Sequence, residues 1–155
     1  MMNATKSKTR FLVWLLPLSY ALHIIEEYYG GEGLPIWLSD FINVDISNLD
    51  FIIINSIALS IVILFSIYHS FYKQNNLLFL ALTALFFING IVHLASSFFS
   101  YTYSPGTVTG VLLYLPIGVF LFKKIRLFLA TKERPTGIAL GIFIHLVVFI
   151  VALNI

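Results

Sequence analysis

The chain has 155 residues, of which 59% are hydrophobic and 10% charged. Soluble globular domains carry about 25% charged residues, so this composition excludes an ordinary soluble domain and points to a polytopic membrane protein. A net charge of +2 leaves no basic surface for nucleic acid, and the lack of cysteine removes disulfides, thiolate metal sites and thiol nucleophiles.

A membrane-crossing helix needs about 20 mostly apolar residues. Five segments of this kind follow one another, and they predict an all-α, single-domain bundle over 1–155 with five transmembrane helices. The first, FLVWLLPLSYALHIIEEYY at 11–29, closes on His23, Glu26 and Glu27. The outer loop, 30–50, carries Glu32, Asp40, Asp45 and Asp50. Its middle, Leu34 to Ile42 with Trp37 and Phe41, suits either a short interfacial helix acting as a lid or a plain connector. The second and third helices are expected at 51–72 and 76–99, and the third contains NGIVH. The fourth is expected at about 105–122, opened by YSPGTVT, and the fifth at 136–155.

The loops set an expected orientation. Lys6, Lys8, Arg10, Lys73, Lys123, Lys124, Arg126, Lys132 and Arg134 all fall on one side of this five-helix arrangement. By the positive-inside rule the N-terminus is cytoplasmic and the C-terminus extracytoplasmic, in a multi-pass protein of the cell membrane. A competing reading takes KSKTR and the apolar run after it as a signal peptide cut after Ala21.

Polar residues inside such helices are costly unless they face the bundle interior or water. His23 shares a helix face with Glu26 and Glu27 at i+3 and i+4, and Asn89 shares one with His93. Pro105 suits a first helical turn, and Gly106 permits close backbone approach beside amides able to hold an anion or oxyanion. At a rise of about 1.5 Å per residue, His23 lies about 20 Å above Arg10, Asn89 about 24 Å above Lys73 and Thr109 about 21 Å above Lys123. The three clusters are thus expected in one layer, in the outer third of the bilayer.

HIIEE, NGIVH and YSPGTVT resemble the HXXEE, NxxxH and YxPGxxT motifs of the HXXEE-domain family, in order, across roughly residues 11–120. The resemblance implies a small integral membrane protein expected to act as an enzyme, with no reaction attached. It carries over His23, Glu26, Glu27, Asn89, His93, Tyr103, Pro105, Gly106 and Thr109.

On the residues' own chemistry, Glu26 or Glu27 suits a general acid or base that activates water. His93 and Asn89, with Tyr103 and the amides near Gly106, suit oxyanion stabilisation and substrate positioning, joined by Thr109 and Pro105. In a metal-dependent variant His23, Glu26, Glu27 and His93 supply nitrogen and oxygen ligands for zinc, iron or manganese. The expected activity is hydrolysis or group transfer on a hydrophobic, lipid-derived substrate from the bilayer. The alternative is a non-enzymatic binder or proton-coupled transporter of a small amphiphile using the same cluster. Among the remaining polar residues, His69 is expected in an aromatic interface belt, His145 as a helix-bonding group and Asn55 as support for the site.

Overall fold

A computed structural model describes residues 10–152, and no strand occurs among them. A 3₁₀ turn, Leu12–Trp14, leads into α1, Leu15–Tyr29. The short helix α2, Leu34–Ile42, is followed by α3, Asn48–Tyr72, whose last turns from Tyr68 are π-helical. Three further helices are α4, Asn76–Ser100, α5, Thr107–Ile125, and α6, Glu133–Ala152. Of these, α3, α4, α5 and α6 are long and apolar enough to cross a membrane. Residues 1–9 and 153–155, with Lys6, Lys8 and the expected end of the last helix, lie outside the described residues.

Local chemistry accounts for the boundaries. The Ser47 hydroxyl accepts from the Asp50 amide at 3.1 Å to start α3, and the Asn75 side chain accepts from Leu78 at 3.0 Å to start α4. Pro105 was expected inside the first turn of α5. It lies instead in the turn before that helix, which begins at Thr107 after Gly106 takes φ +102°. A side chain at that φ would be strained, so glycine places the end of the loop.

The central element is α4: half of its apolar window (50%) is buried, against 11% for the peripheral α6. Small residues let its neighbours in. A Cβ on Gly90 would stand 3.0 Å from the Gly110 carbonyl oxygen, so α4 and α5 cross backbone to backbone. Gly137 of α6 receives the Leu80 side chain, and Gly141 lies against the Ala81 carbonyl. Such small-residue contacts are how helices gain packing where lipid offers no hydrophobic drive. Directly beneath the Gly90–Gly110 crossing, Leu16, Phe86, Tyr114 and Leu121 build the apolar core shared by α1, α4 and α5.

His69 departs from its expected interfacial place. It is 2% exposed, its Nδ1 accepts from the Asn75 amide at 3.2 Å, and its ring lies between Phe65 and Phe79. The π-helical winding turns it inward, and it fastens the α3–α4 turn. Tyr68 and Tyr72 beside it stay exposed and stack on one another.

Candidate functional site

Above that core, α1, α4 and the loop before α5 meet. His23 and Glu27 are one turn apart on α1 and point at α4, where His93 faces them. Both imidazoles reach the same carboxylate oxygen: His23 Nε2 is 3.3 Å and His93 Nε2 3.2 Å from Glu27 Oε1. The two rings stand edge to face at 4.9 Å, and all three side chains are buried.

The far nitrogen of each ring is also held. His23 Nδ1 is 2.7 Å from the Thr109 hydroxyl, and His93 Nδ1 is 3.3 Å from the Ser104 hydroxyl. The Thr109 hydroxyl has the Gly106 carbonyl as an acceptor at 3.4 Å. If that hydroxyl donates to Gly106, it accepts from His23, the His23 proton sits on Nδ1 and Nε2 faces Glu27 as a lone pair; if it donates to His23, Nε2 carries the proton toward Glu27. That Nε2, despite its 3.3 Å separation from Glu27, makes no aligned hydrogen bond.

Gly106 closes the site from above. A Cβ there would stand 2.8 Å from Cε1 of both His23 and His93, so only glycine lets the loop descend onto the two rings. The amides able to hold an anion were expected around Gly106. They are those of Val108 and Thr109, and their anion is internal: Glu26 Oε1 accepts from Val108 at 2.8 Å and Glu26 Oε2 from Thr109 at 2.6 Å. Tyr103 adds its hydroxyl to Glu26 Oε1 at 2.5 Å. Burial first, and then the Glu26 carboxylate, push the Tyr103 phenol up to about 12, which keeps it a donor at neutral pH.

The sequence-identified residues therefore separate into two groups. His23, Glu27 and His93 converge, with Thr109 and Gly106 against their rings. Glu26 and Tyr103 belong instead to a half-exposed clamp between α1 and the start of α5, while Pro105 is buried in the turn that joins the groups. Asn89 sits one turn below His93, and its buried Oδ1 has no hydrogen-bond partner. Asn55 accepts from the Tyr20 hydroxyl at 2.8 Å and so braces α1 against α3.

Two residues escaped the sequence reading. Ser104, fully buried, meets His93; it occupies the variable position between Tyr103 and Pro105, and nothing in its type marks it out. Ser97 accepts from the Ser104 amide at 2.8 Å and meets the Thr107 hydroxyl at 2.7 Å. It pins the loop that carries Ser104.

Helices of this length and apolarity, arranged around buried polar groups, define a multi-pass helical membrane protein. Within that class, the family described as proteins of unknown function with an HXXEE motif matches residues 14–121, and the chain belongs to it. No curated protein and no solved structure matches the chain.

Proposed function

We propose that this protein is an integral membrane enzyme that hydrolyses, or transfers a group on, a hydrophobic lipid-derived substrate. The observation that carries the reading is the meeting of His23, Glu27 and His93 in one buried centre. Burying a carboxylate and two imidazoles together in an apolar bundle costs free energy that a purely structural contact does not require. Glu27, with two nitrogen bases on one of its oxygens, is the group best placed to move a proton. Glu26 and Tyr103 hold α1 to the mouth of α5, and Asn89, with a free carbonyl oxygen, offers a hydrogen bond to substrate.

The topology we propose has five crossings, with α1 and its preceding turn as the first, the N-terminus cytoplasmic and the C-terminus extracytoplasmic. Support comes from the ends of the bundle. Arg10 and Ser70 are joined at 3.0 Å, and the Arg134 side chain donates to the Arg126 carbonyl at 2.9 Å, which gathers described basic residues at the turns away from the centre. The centre then lies toward the outer leaflet, under α2, whose Trp37 indole donates to Thr102 at 3.1 Å.

The test is conversion of lipid. Purified protein in nanodiscs made from a total membrane lipid extract is incubated, and the lipids are followed by mass spectrometry. The expected result is a product that accumulates with wild type, is lost with Glu27→Gln and His93→Ala, and persists with His69→Ala. Absence of any product, or equal product from Glu27→Gln, overturns the enzymatic reading; an unchanged lipid that co-purifies only with wild type identifies a binder instead.

A further inference from the structure

We propose that His23 Nε2, His93 Nε2 and a Glu27 carboxylate oxygen form a binding site for a divalent first-row metal ion, zinc or ferrous iron. The proposal deepens the enzymatic reading and rests on it for what the metal does. The binding itself is argued from geometry.

The three ligand atoms lie within 4.8 Å of one another, and all three residues are buried. With metal–ligand bonds of about 2.0–2.2 Å, donor atoms on one ion stand about 3.0 Å apart at octahedral corners and about 3.4 Å apart at tetrahedral ones. The two nitrogen–oxygen separations are 3.3 and 3.2 Å, inside that interval. The remaining edge, at most 4.8 Å, has to close by no more than about 1.4 Å for tetrahedral corners or about 1.8 Å for octahedral ones.

Hydrogen bonding argues for an ion over a shared proton. In the tautomer with its proton on Nδ1, held by Thr109, His23 presents the Nε2 lone pair to a carboxylate oxygen, an acceptor facing an acceptor. A proton placed on Nε2 does not resolve the contact, because the nitrogen is unaligned with the carboxylate and has no other partner. An ion lying between the donor atoms needs no such alignment with Glu27 and satisfies all three at once. His93 likewise has a hydroxyl, that of Ser104, at its Nδ1. Hydroxyl partners on the far ring nitrogens orient imidazoles toward metals and fix their tautomer.

Chemistry and shape agree with this choice. Two imidazoles and one carboxylate suit zinc with an open fourth position, or ferrous iron with open faces, and exclude the soft thiolate metals. Gly106 lies over Cε1 of both rings, beside the proposed ligating nitrogens, where a side chain would have no room. When bound, such an ion would lower the pKa of a coordinated water, supplying the nucleophile that hydrolysis needs.

Full-length protein in nanodiscs is stripped with a chelator, reloaded separately with zinc or with ferrous iron under anaerobic conditions, and its metal counted by elemental mass spectrometry. Wild type is expected to retain about one ion per chain with one of these metals, and His23→Ala and Glu27→Gln less than about a tenth of that. His69→Ala, altered at a buried histidine far from the centre, keeps the wild-type content. Thr109→Val leaves all ligand atoms in place and should weaken affinity about 10- to 100-fold, with Thr109→Ser restoring it. This arm reads the site whether or not the alanine variants fold. Reloaded wild type with less than about one ion per ten chains, or with the same content as His23→Ala, overturns the proposal. Lipid conversion by metal-free protein would sink the metal and spare the enzyme. Stoichiometric metal without conversion would do the reverse.

Discussion

Glu26 and Glu27 are adjacent in the chain and chemically identical, yet their surroundings have little in common. Glu27 is buried, and its oxygen is approached by two imidazoles. Glu26, turned about 100° around the helix, is half-exposed and accepts from two backbone amides and a phenol. The first environment gathers lone pairs in a dry place, as reactive or ligating groups require. The second satisfies every lone pair it engages, as a structural clamp requires. One step along a helix is enough to separate the two environments, so the doubled glutamate of the motif places one carboxylate in each.

That division has measurable consequences. Replacing the inner carboxylate, Glu27→Ala, removes the common partner of two buried histidines and should cost about 3 kcal/mol or more, seen as a large drop in the thermal unfolding midpoint in detergent. If Glu27→Ala is no less stable than Glu26→Ala, the two positions do not differ as described. Gly106→Ala tests the ceiling of the inner site. Left-handed strain of about 1–2 kcal/mol adds to the contact with both rings, and the variant should lose metal and lipid conversion while remaining helical by circular dichroism. Retention of both would mean that the loop yields easily. The smallest effect belongs to the outer clamp. Tyr103→Phe removes a single hydrogen bond, worth about 0.5–1.5 kcal/mol, and a double-mutant cycle with Glu26→Ala, which lacks the acceptor, should show that loss falling to near zero.

Much of this architecture could be read from residue order, because lipid imposes strong rules. Apolar segments marked α3 to α6 with end errors of a few residues, and Leu34 to Ile42 proved to be a helix. Counting the rise along each helix placed His23, Asn89 and Thr109 at a common depth, and the motifs carrying them do meet. The azimuth was far less legible. Either glutamate satisfied the i+3 or i+4 relation to His23, and the spacing rule has no means of choosing. That Thr109 bonds His23 and that Gly106 lies over both histidine rings could not be read from spacing either. His69 was grouped with its tyrosine neighbours, which are exposed, whereas it lies buried in a π-helical turn that residue type does not announce.

Composition and hydropathy were sufficient for the class and for the four long apolar helices α3 to α6, since these depend on quantities that add along a single chain. Which carboxylate meets the imidazoles, which amides hold the other, and why glycine stands at 106 depend on how three separate segments rotate and press together. Those rotations are settled by packing, above all by the backbone contact of Gly90 with Gly110 and the descent of the loop onto two rings. Packing is a property of pairs of segments, and no single stretch of sequence contains it.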